Sequence, residues 1–340
     1  MIVIFGEMQT MLRDSARDVC EPWRGAAKLP AASIQAAWRQ FGELGWTGVT
    51  LPEAQGGSGG SLLDAGVIAL ELGRAAMFCG YPDTVALATA LTEHGGGDAA
   101  MFSAIAAGTL ALGFGLKLDD ASALLGAQAA ARTLVVGVVA GANPRLVAIA
   151  PEKVARRPAM TTTHQADLLL DMAGLEGGET LLQGDAALAA WARAQAIHRA
   201  LTCAQLTGAA RQYLDMSVEY AGIRVQFDRP IGTFQAVQHS LAETLAACDA
   251  AELTSFKALA ACDRGANNDD AELLASTAFV REAIWSAVMK SYDILGGVGY
   301  MEDHAFSRYT RGLLPLLAGL GAGEQCDEQV AATVRRGGWL

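Results

Sequence analysis

The spacing of apolar residues changes twice along this chain, and those changes limit the folds open to it more than any single motif does. Ile34, Trp38, Phe41 and Leu44 recur every three or four residues, which is one face of a helix, and Gly45 ends the run. After the loop from Leu51 to Gly60, the stretch Ser61 to Arg74 resumes that spacing through Leu62, Ala65, Ile68, Ala69 and Leu72. Between about Leu110 and Gly184 the pattern is different. Thr133 to Val139 and Arg145 to Ala150 are short, β-branched and bounded by Gly, Asn and Pro, as strands are. Helical spacing then returns over Arg199 to Arg224, again from a proposed N-cap at Thr233 through Phe234, Val237, Leu241, Leu245 and Cys248, and again from about Asp270 to Leu295. The pattern predicts a mostly α chain with a small central β domain: an N-terminal helical domain over 1–109, a reduced β domain over 110–184 and a C-terminal helical bundle over 185–340.

Composition removes several classes. With 52% hydrophobic and 18% charged residues, the 340-residue chain has ample material for a core and is not disordered. Its 36 acidic against 25 basic residues give a net charge of −11 with no basic cluster, which argues against nucleic acid as a partner. The six cysteines form no CxxC pair and no zinc spacing, so buried, reduced thiols are expected. The longest uncharged stretch, Ala100 to Leu116, is short for a membrane span and is diluted by Ser103, Gly108, Thr109, Gly113 and Gly115, so it reads as core. Met1 to Phe5 lacks the basic n-region of a signal peptide, and the cytoplasm is the expected location.

No strand precedes the glycines of Gly56-Gly57-Ser58-Gly59-Gly60, so the loop reads as a tight turn rather than a phosphate cradle. His94 and His164 have no partner pattern, Asp269 and Asp270 read as solvated, and no Gly-x-Ser-x-Gly sequence suggests a hydrolase.

Two segments are more specific. Tyr220-Ala221-Gly222-Ile223-Arg224-Val225-Gln226-Phe227-Asp228-Arg229-Pro230-Ile231-Gly232-Thr233-Phe234-Gln235-Ala236-Val237-Gln238-His239 and Asp293-Ile294-Leu295-Gly296-Gly297-Val298-Gly299-Tyr300, with Leu51-Pro52-Glu53 upstream, resemble the acyl-CoA dehydrogenase family in order and separation. The resemblance implies an N-terminal helical domain, a middle β-barrel-like domain and a C-terminal four-helix bundle. It also implies FAD at a subunit interface and α,β-dehydrogenation of an acyl-CoA thioester, with electrons passed to an electron-transfer flavoprotein. By the same resemblance, Arg224, Gln226, Phe227, Gln235, Asp293, Gly296 and Gly297 are the residues expected to touch FAD, and Arg199 lies near the substrate. A guanidinium suits a pyrophosphate because its fork donates two hydrogen bonds. His239 falls inside the first motif as a structural residue.

The sequence also departs from the family. The position of the usual catalytic glutamate, beyond the glycine pair, is Leu320. The alternative position, before the matched arginine, is His198, the candidate base. Glu324 and Glu328 lie close to the usual site only in sequence. Asp293 puts a negative charge where Gln or His is usual, Asp228 replaces a glycine, and the middle-domain motifs that flank the flavin ring are missing, with Gly113-Phe114-Gly115-Leu116 all that remains near the first. These departures favour a cofactor-sharing or non-catalytic subunit that pairs with a homologue, as a homodimer, homotetramer or α2β2 heterotetramer, in the catabolism of a steroid or other bulky acyl-CoA. The alternatives are a self-sufficient dehydrogenase with a relocated base and a purely structural helical protein.

Overall fold

The computed structural model describes residues 5–114, 116–117, 122–125, 132–154, 156–158, 168–321 and 323–335. His164 lies outside the described residues, as do the side chains of Glu324 and Cys326.

Five helices come first: α1 (Glu7–Cys20), α2 (Ala31–Glu43), α3 (Leu62–Arg74), α4 (Tyr81–His94) and α5 (Ala99–Ala106). Their starts follow from local chemistry. Ser61 and Asp64 form a reciprocal capping box at α3, with Asp64 N–H donating to Ser61 Oγ at 3.2 Å and Ser61 N–H to Asp64 Oδ2 at 2.8 Å. Asp98 accepts from Met101 N–H at 2.7 Å to start α5. The glycine-rich turn before α3 is structural, since a Cβ on Gly57 would lie 2.1 Å from Leu51 O and Gly56 and Gly59 have φ of 84° and 64°.

The β region holds β1 (Leu110–Phe114), β2 (Leu116–Lys117), β3 (Ser122–Leu125), β4 (Arg132–Val139), β5 (Arg145–Ile149), β6 (Arg156–Pro158), β7 (Leu168–Asp171) and β8 (Glu179–Gln183). They form two four-stranded sheets, β1-β4-β5-β8 and β2-β3-β7-β6. Pairing is antiparallel except between β1 and β4, which run parallel with Leu112 opposite Leu134.

The bundle consists of α6 (Gly184–Ile223), α7 (Gln235–Asp263), α8 (Ala271–Leu295), α9 (Ala305–Gly319) and α10 (Gly323–Arg335). A two-stranded hairpin, β9 (Val225–Gln226) and β10 (Arg229–Pro230), joins α6 to α7. α6 is buried on nearly every side between Ala194 and Tyr213, as expected of a helix with neighbours all round. It starts at Gly184 rather than at Arg199, because residues 184–198 are rich in alanine, which favours a helix without printing a periodic pattern of large apolar residues. Thr233 is not the cap of α7. Phe234 holds that position without a side-chain bond, and Thr233 Oγ1 instead donates to Pro230 O at 2.7 Å. Leu245 is 45% exposed, so the apolar run of α7 is not wholly covered within one chain.

One buried cluster ties α1 to α3 against the first half of α6, a second fills the bundle, and a third joins β1, β4 and β5 to α4, α5 and the start of α6. Glu71, fully buried on α3, is met by Arg17 at 3.0 Å and Arg24 at 3.6 Å. Arg193 of α6 holds Glu93 of α4 through two bonds of 2.7 and 2.9 Å. Among the described residues no helix is long and apolar enough to cross a membrane, and no cluster of metal-ligating side chains occurs.

Candidate functional site

The candidate base sits where three elements meet. His198 lies on α6, and its Nε2 is 2.8 Å from Asp83 Oδ1, on the first turn of α4. The ring packs on Phe114, the last residue of β1, at 4.8 Å between centroids, and the same phenyl ring touches Trp191 at 5.0 Å. Trp191 and His198 are seven residues apart, hence on one face of α6, and Phe114 fits between them.

The local sequence explains this convergence. Gly80, at φ 78°, permits a sharp entry to α4, and Asp83 then falls in the first turn, where the helix dipole favours a carboxylate. Thr84 next to it accepts from Leu112 N–H at 3.2 Å and donates to Leu112 O at 3.1 Å, which pins α4 to the edge of β1. Gln205 of α6 donates to Met77 O at 3.1 Å and holds the loop before α4. A carboxylate only accepts hydrogen bonds, so the neutral imidazole carries its proton on Nε2 and presents Nδ1 as acceptor. The His198 and Asp83 side chains are 27% and 15% exposed.

Other groups are unsuited to the same role. Burial pushes the Cys79 thiol up to about 12, with the charge of Asp83 adding to the effect. Burial likewise pushes Cys248 and Cys262 up to about 12. The five cysteines with described side chains are buried and form no disulfide with one another. Leu320 caps the end of α9 at 5% exposure inside the bundle cluster, and the carbonyl of Gly321 accepts from Arg281 Nε at 2.7 Å. Glu328 is exposed on α10. Arg199 is half-buried, and its Nη1 is buried with no hydrogen-bond partner among the described residues.

The proposed cofactor residues lie elsewhere. Arg224, Gln226, Phe227 and Gln235 are exposed around the hairpin, and Phe227 is 86% exposed. Asp293, Gly296 and Gly297 are exposed at the end of α8. α6 and α8 run in the same direction, and Ala221 and Ile231 share a buried cluster with Ile294 and Leu295, so both groups occupy one end of the bundle. Phe227 and Asp228, at φ 52° and 63°, form a two-residue turn of the primed type, a conformation that glycine fits and side chains resist. Gln226 donates to Val225 O at 2.7 Å, and the Arg229 guanidinium lies 4.1 Å over the Phe234 ring.

These residues form two separate groups. At roughly 1.5 Å per residue, the twenty-six residues from His198 to Arg224 cover about 39 Å of helix. Asp83, Phe114 and Trp191 were not foreseen as site residues, since nothing local marks an aspartate 115 residues from its histidine as a partner.

The exposed donor set fits an anionic cofactor. Arg224 offers a guanidinium, and a Cβ on Gly296 or Gly297 would meet nothing within 4 Å, which leaves backbone that a flat group can approach. The exposed carboxylate of Asp293 opposes a pyrophosphate at that end.

Comparison with known proteins agrees with this architecture. The family profile described as acyl-CoA dehydrogenase, N-terminal domain, matches residues 6–98, and acyl-CoA dehydrogenase, C-terminal domain, matches residues 188–334. The chain is 30% identical over 315 residues to acyl-CoA dehydrogenase IpdE2 of Mycobacterium tuberculosis, covering 89% of this chain and 90% of that protein. Its fold is similar to a chain of the ChsE4-ChsE5 complex from Mycobacterium tuberculosis, with a TM-score of 0.80 at 20% identity over 98% of this chain and 99% of the other. A chain of the Tcur3481-Tcur3483 steroid ACAD also gives a TM-score of 0.80, at 24% identity over 98% and 99% of the two chains. On the two profile matches and the IpdE2 likeness, this chain belongs to the acyl-CoA dehydrogenase family.

Proposed function

We propose that this chain is a cofactor-sharing subunit of an FAD-dependent acyl-CoA dehydrogenase that pairs with a homologous subunit. The reading is carried by the separation along α6, which keeps the residues matched to FAD binding away from the His198–Asp83 pair of the same chain. The hairpin and the end of α8 present Arg224, Gln226 and the glycine pair outward, where a flavin seated mainly in the neighbouring subunit would meet them. Phe227 is also among the most exposed large apolar residues of the chain, as a contact completed by another subunit would be. The apolar, buried Leu320 at the usual glutamate position supports a shared rather than a self-contained site.

When bound, FAD supplies the acceptor for the hydride leaving the acyl β-carbon. The chain's own part is to bind and orient. Arg224 would pair with the pyrophosphate, Gly296 and Gly297 would let the backbone lie against the cofactor, and Arg199, towards the other end of α6, would offer its unused Nη1 donor to an oxygen of the acyl-CoA. The two-chain relatives ChsE4-ChsE5 and Tcur3481-Tcur3483, the latter named a steroid ACAD, support a heteromer acting on a bulky acyl-CoA. An electron-transfer flavoprotein is then the fitting acceptor of the electrons. A second reading, a self-sufficient enzyme with a relocated base, is favoured by one observation, the bond between Asp83 and His198.

The test is to purify the chain alone and together with a homologous subunit, then measure bound flavin and acyl-CoA-dependent dye reduction. Flavin and turnover only in the mixed assembly are expected. Full flavin and turnover from the chain alone would overturn the shared-site reading in favour of the second.

A further inference from the structure

We propose that Arg308 of α9, with Arg24 and the turn that carries it, forms a site for one small oxyanion such as inorganic phosphate. The site lies where α9 meets the end of α3 and the connection between α1 and α2, and none of its residues is among those matched to the flavin. Buried guanidinium nitrogens without a hydrogen bond concentrate there. Arg308 Nε and Nη1, Arg24 Nε and Nη2 and Arg74 Nε are all buried and unbonded among the described residues. The three side chains surround one hydroxyl, that of Tyr309, which donates to Arg74 O, accepts from Gly25 N–H and feels the charge of all three. Arg308 Nη2 donates to Trp23 O at 2.6 Å, so the turn Trp23-Arg24-Gly25 is held against α9.

Charge decides what this junction lacks. Glu71 answers Arg17 and Arg24 at 3.0 and 3.6 Å, Glu21 also answers Arg24 at 2.9 Å, and Asp215 answers Arg74 at 2.7 Å. Arg308 meets no carboxylate among the described residues. Its partners there are the Trp23 carbonyl and the neutral Tyr309 ring, 5.2 Å from the guanidinium carbon. Burial accordingly lowers the pKa of Arg308 from its ordinary value, whereas Arg17, Arg193 and Arg211, each bonded to a carboxylate, move up. A water can fill an unbonded position but cannot offset the charge, and an unpaired cation out of water is costly. Donors from two guanidinium groups call for several acceptor oxygens, which a phosphate has and a chloride lacks. Gly25, exposed and at φ 70°, has nothing within 4 Å of an added Cβ, which leaves an open approach beside the turn.

The test uses the full chain in its assembly, dialysed free of phosphate and sulfate and then equilibrated with radiolabelled inorganic phosphate at fixed ionic strength. Bound phosphate per chain is counted, and Tm is recorded with phosphate and with chloride. A single saturable site is expected in the wild type, and its loss in Arg308→Leu. Arg308→Lys keeps the charge but not the fork of donors, and should bind phosphate about 10-fold or more weakly. The gap in Tm between wild type and Arg308→Leu should widen by several degrees on adding phosphate, because only the wild type gains from the ligand; a general effect of the salt would move both equally. No saturable phosphate in the wild type would overturn the site, whether or not the variants fold. Phosphate kept in Arg308→Leu but lost in Arg224→Ala would place it at the flavin end, overturning the Arg308 site and leaving the cofactor-sharing reading intact.

Discussion

Gly73 of α3 and Gly208 of α6 face each other's helices at backbone contact: a Cβ on Gly73 would lie 1.8 Å from Gln205 O, and one on Gly208 would lie 1.8 Å from Leu70 O. The crossing sets how the N-terminal helices sit on the bundle's central helix, and hence where α4 delivers Asp83. Gly73→Ala and Gly208→Ala are each expected to cost about 1–3 kcal/mol through overpacking. Gly222→Ala, on the same helix with nothing within 4 Å of an added Cβ, should be neutral or stabilising by up to about 1 kcal/mol. Urea denaturation of the three variants checks the contrast.

Asp228 holds a left-handed conformation, φ 63°, in a turn whose other central residue, Phe227, is also left-handed. Asp228→Gly removes a steric cost and should stabilise the folded chain by about 1 kcal/mol, read as a higher denaturation midpoint. A lower midpoint would mean that the aspartate makes an interaction that outweighs its backbone cost.

Asp263, at the end of α7, accepts from Leu62 N–H at 3.0 Å and so ties the bundle to the start of α3. Burial raises its carboxyl above the ordinary value, against the lowering effect of the backbone N–H bonds it accepts. A carboxyl raised on folding contributes stability that is present at acid pH and lost as pH climbs through the folded-state value. The stability of Asp263→Asn relative to wild type should therefore rise from acid to neutral pH, measured as the difference in Tm across that range. A difference that does not change with pH would remove the burial argument.

Much of the fold was legible because large apolar residues recur at helical or strand spacing. The expected strands at Thr133 and Arg145 correspond to β4 and β5, and α8 starts near Asp270 as expected, but Asp270, read as solvated, instead caps the helix by accepting from Glu272 N–H at 2.9 Å and Leu273 N–H at 3.1 Å. The first fifteen residues of α6 were not legible, since alanine favours a helix without marking a face. The base candidate His198 could be named by its place before Arg199, but its partner could not. Asp83 reads in sequence as a first-turn carboxylate, and only the packing of α4 on α6 and β1 brings it to the imidazole. The separation of His198 from Arg224 was equally invisible until α6 was known to be unbroken.

Under the proposed shared-site function, that separation would make Arg224 and its neighbours useful chiefly to another chain. The direct measurement is the flavin affinity of the assembled oligomer carrying Arg224→Ala on this chain alone, with assembly followed by sedimentation. Loss of a charge-assisted bidentate contact should weaken flavin binding by about 10- to 100-fold while the assembly stays intact, because the Arg224 side chain is exposed in the isolated fold. Unchanged flavin affinity in the variant assembly would contradict the account.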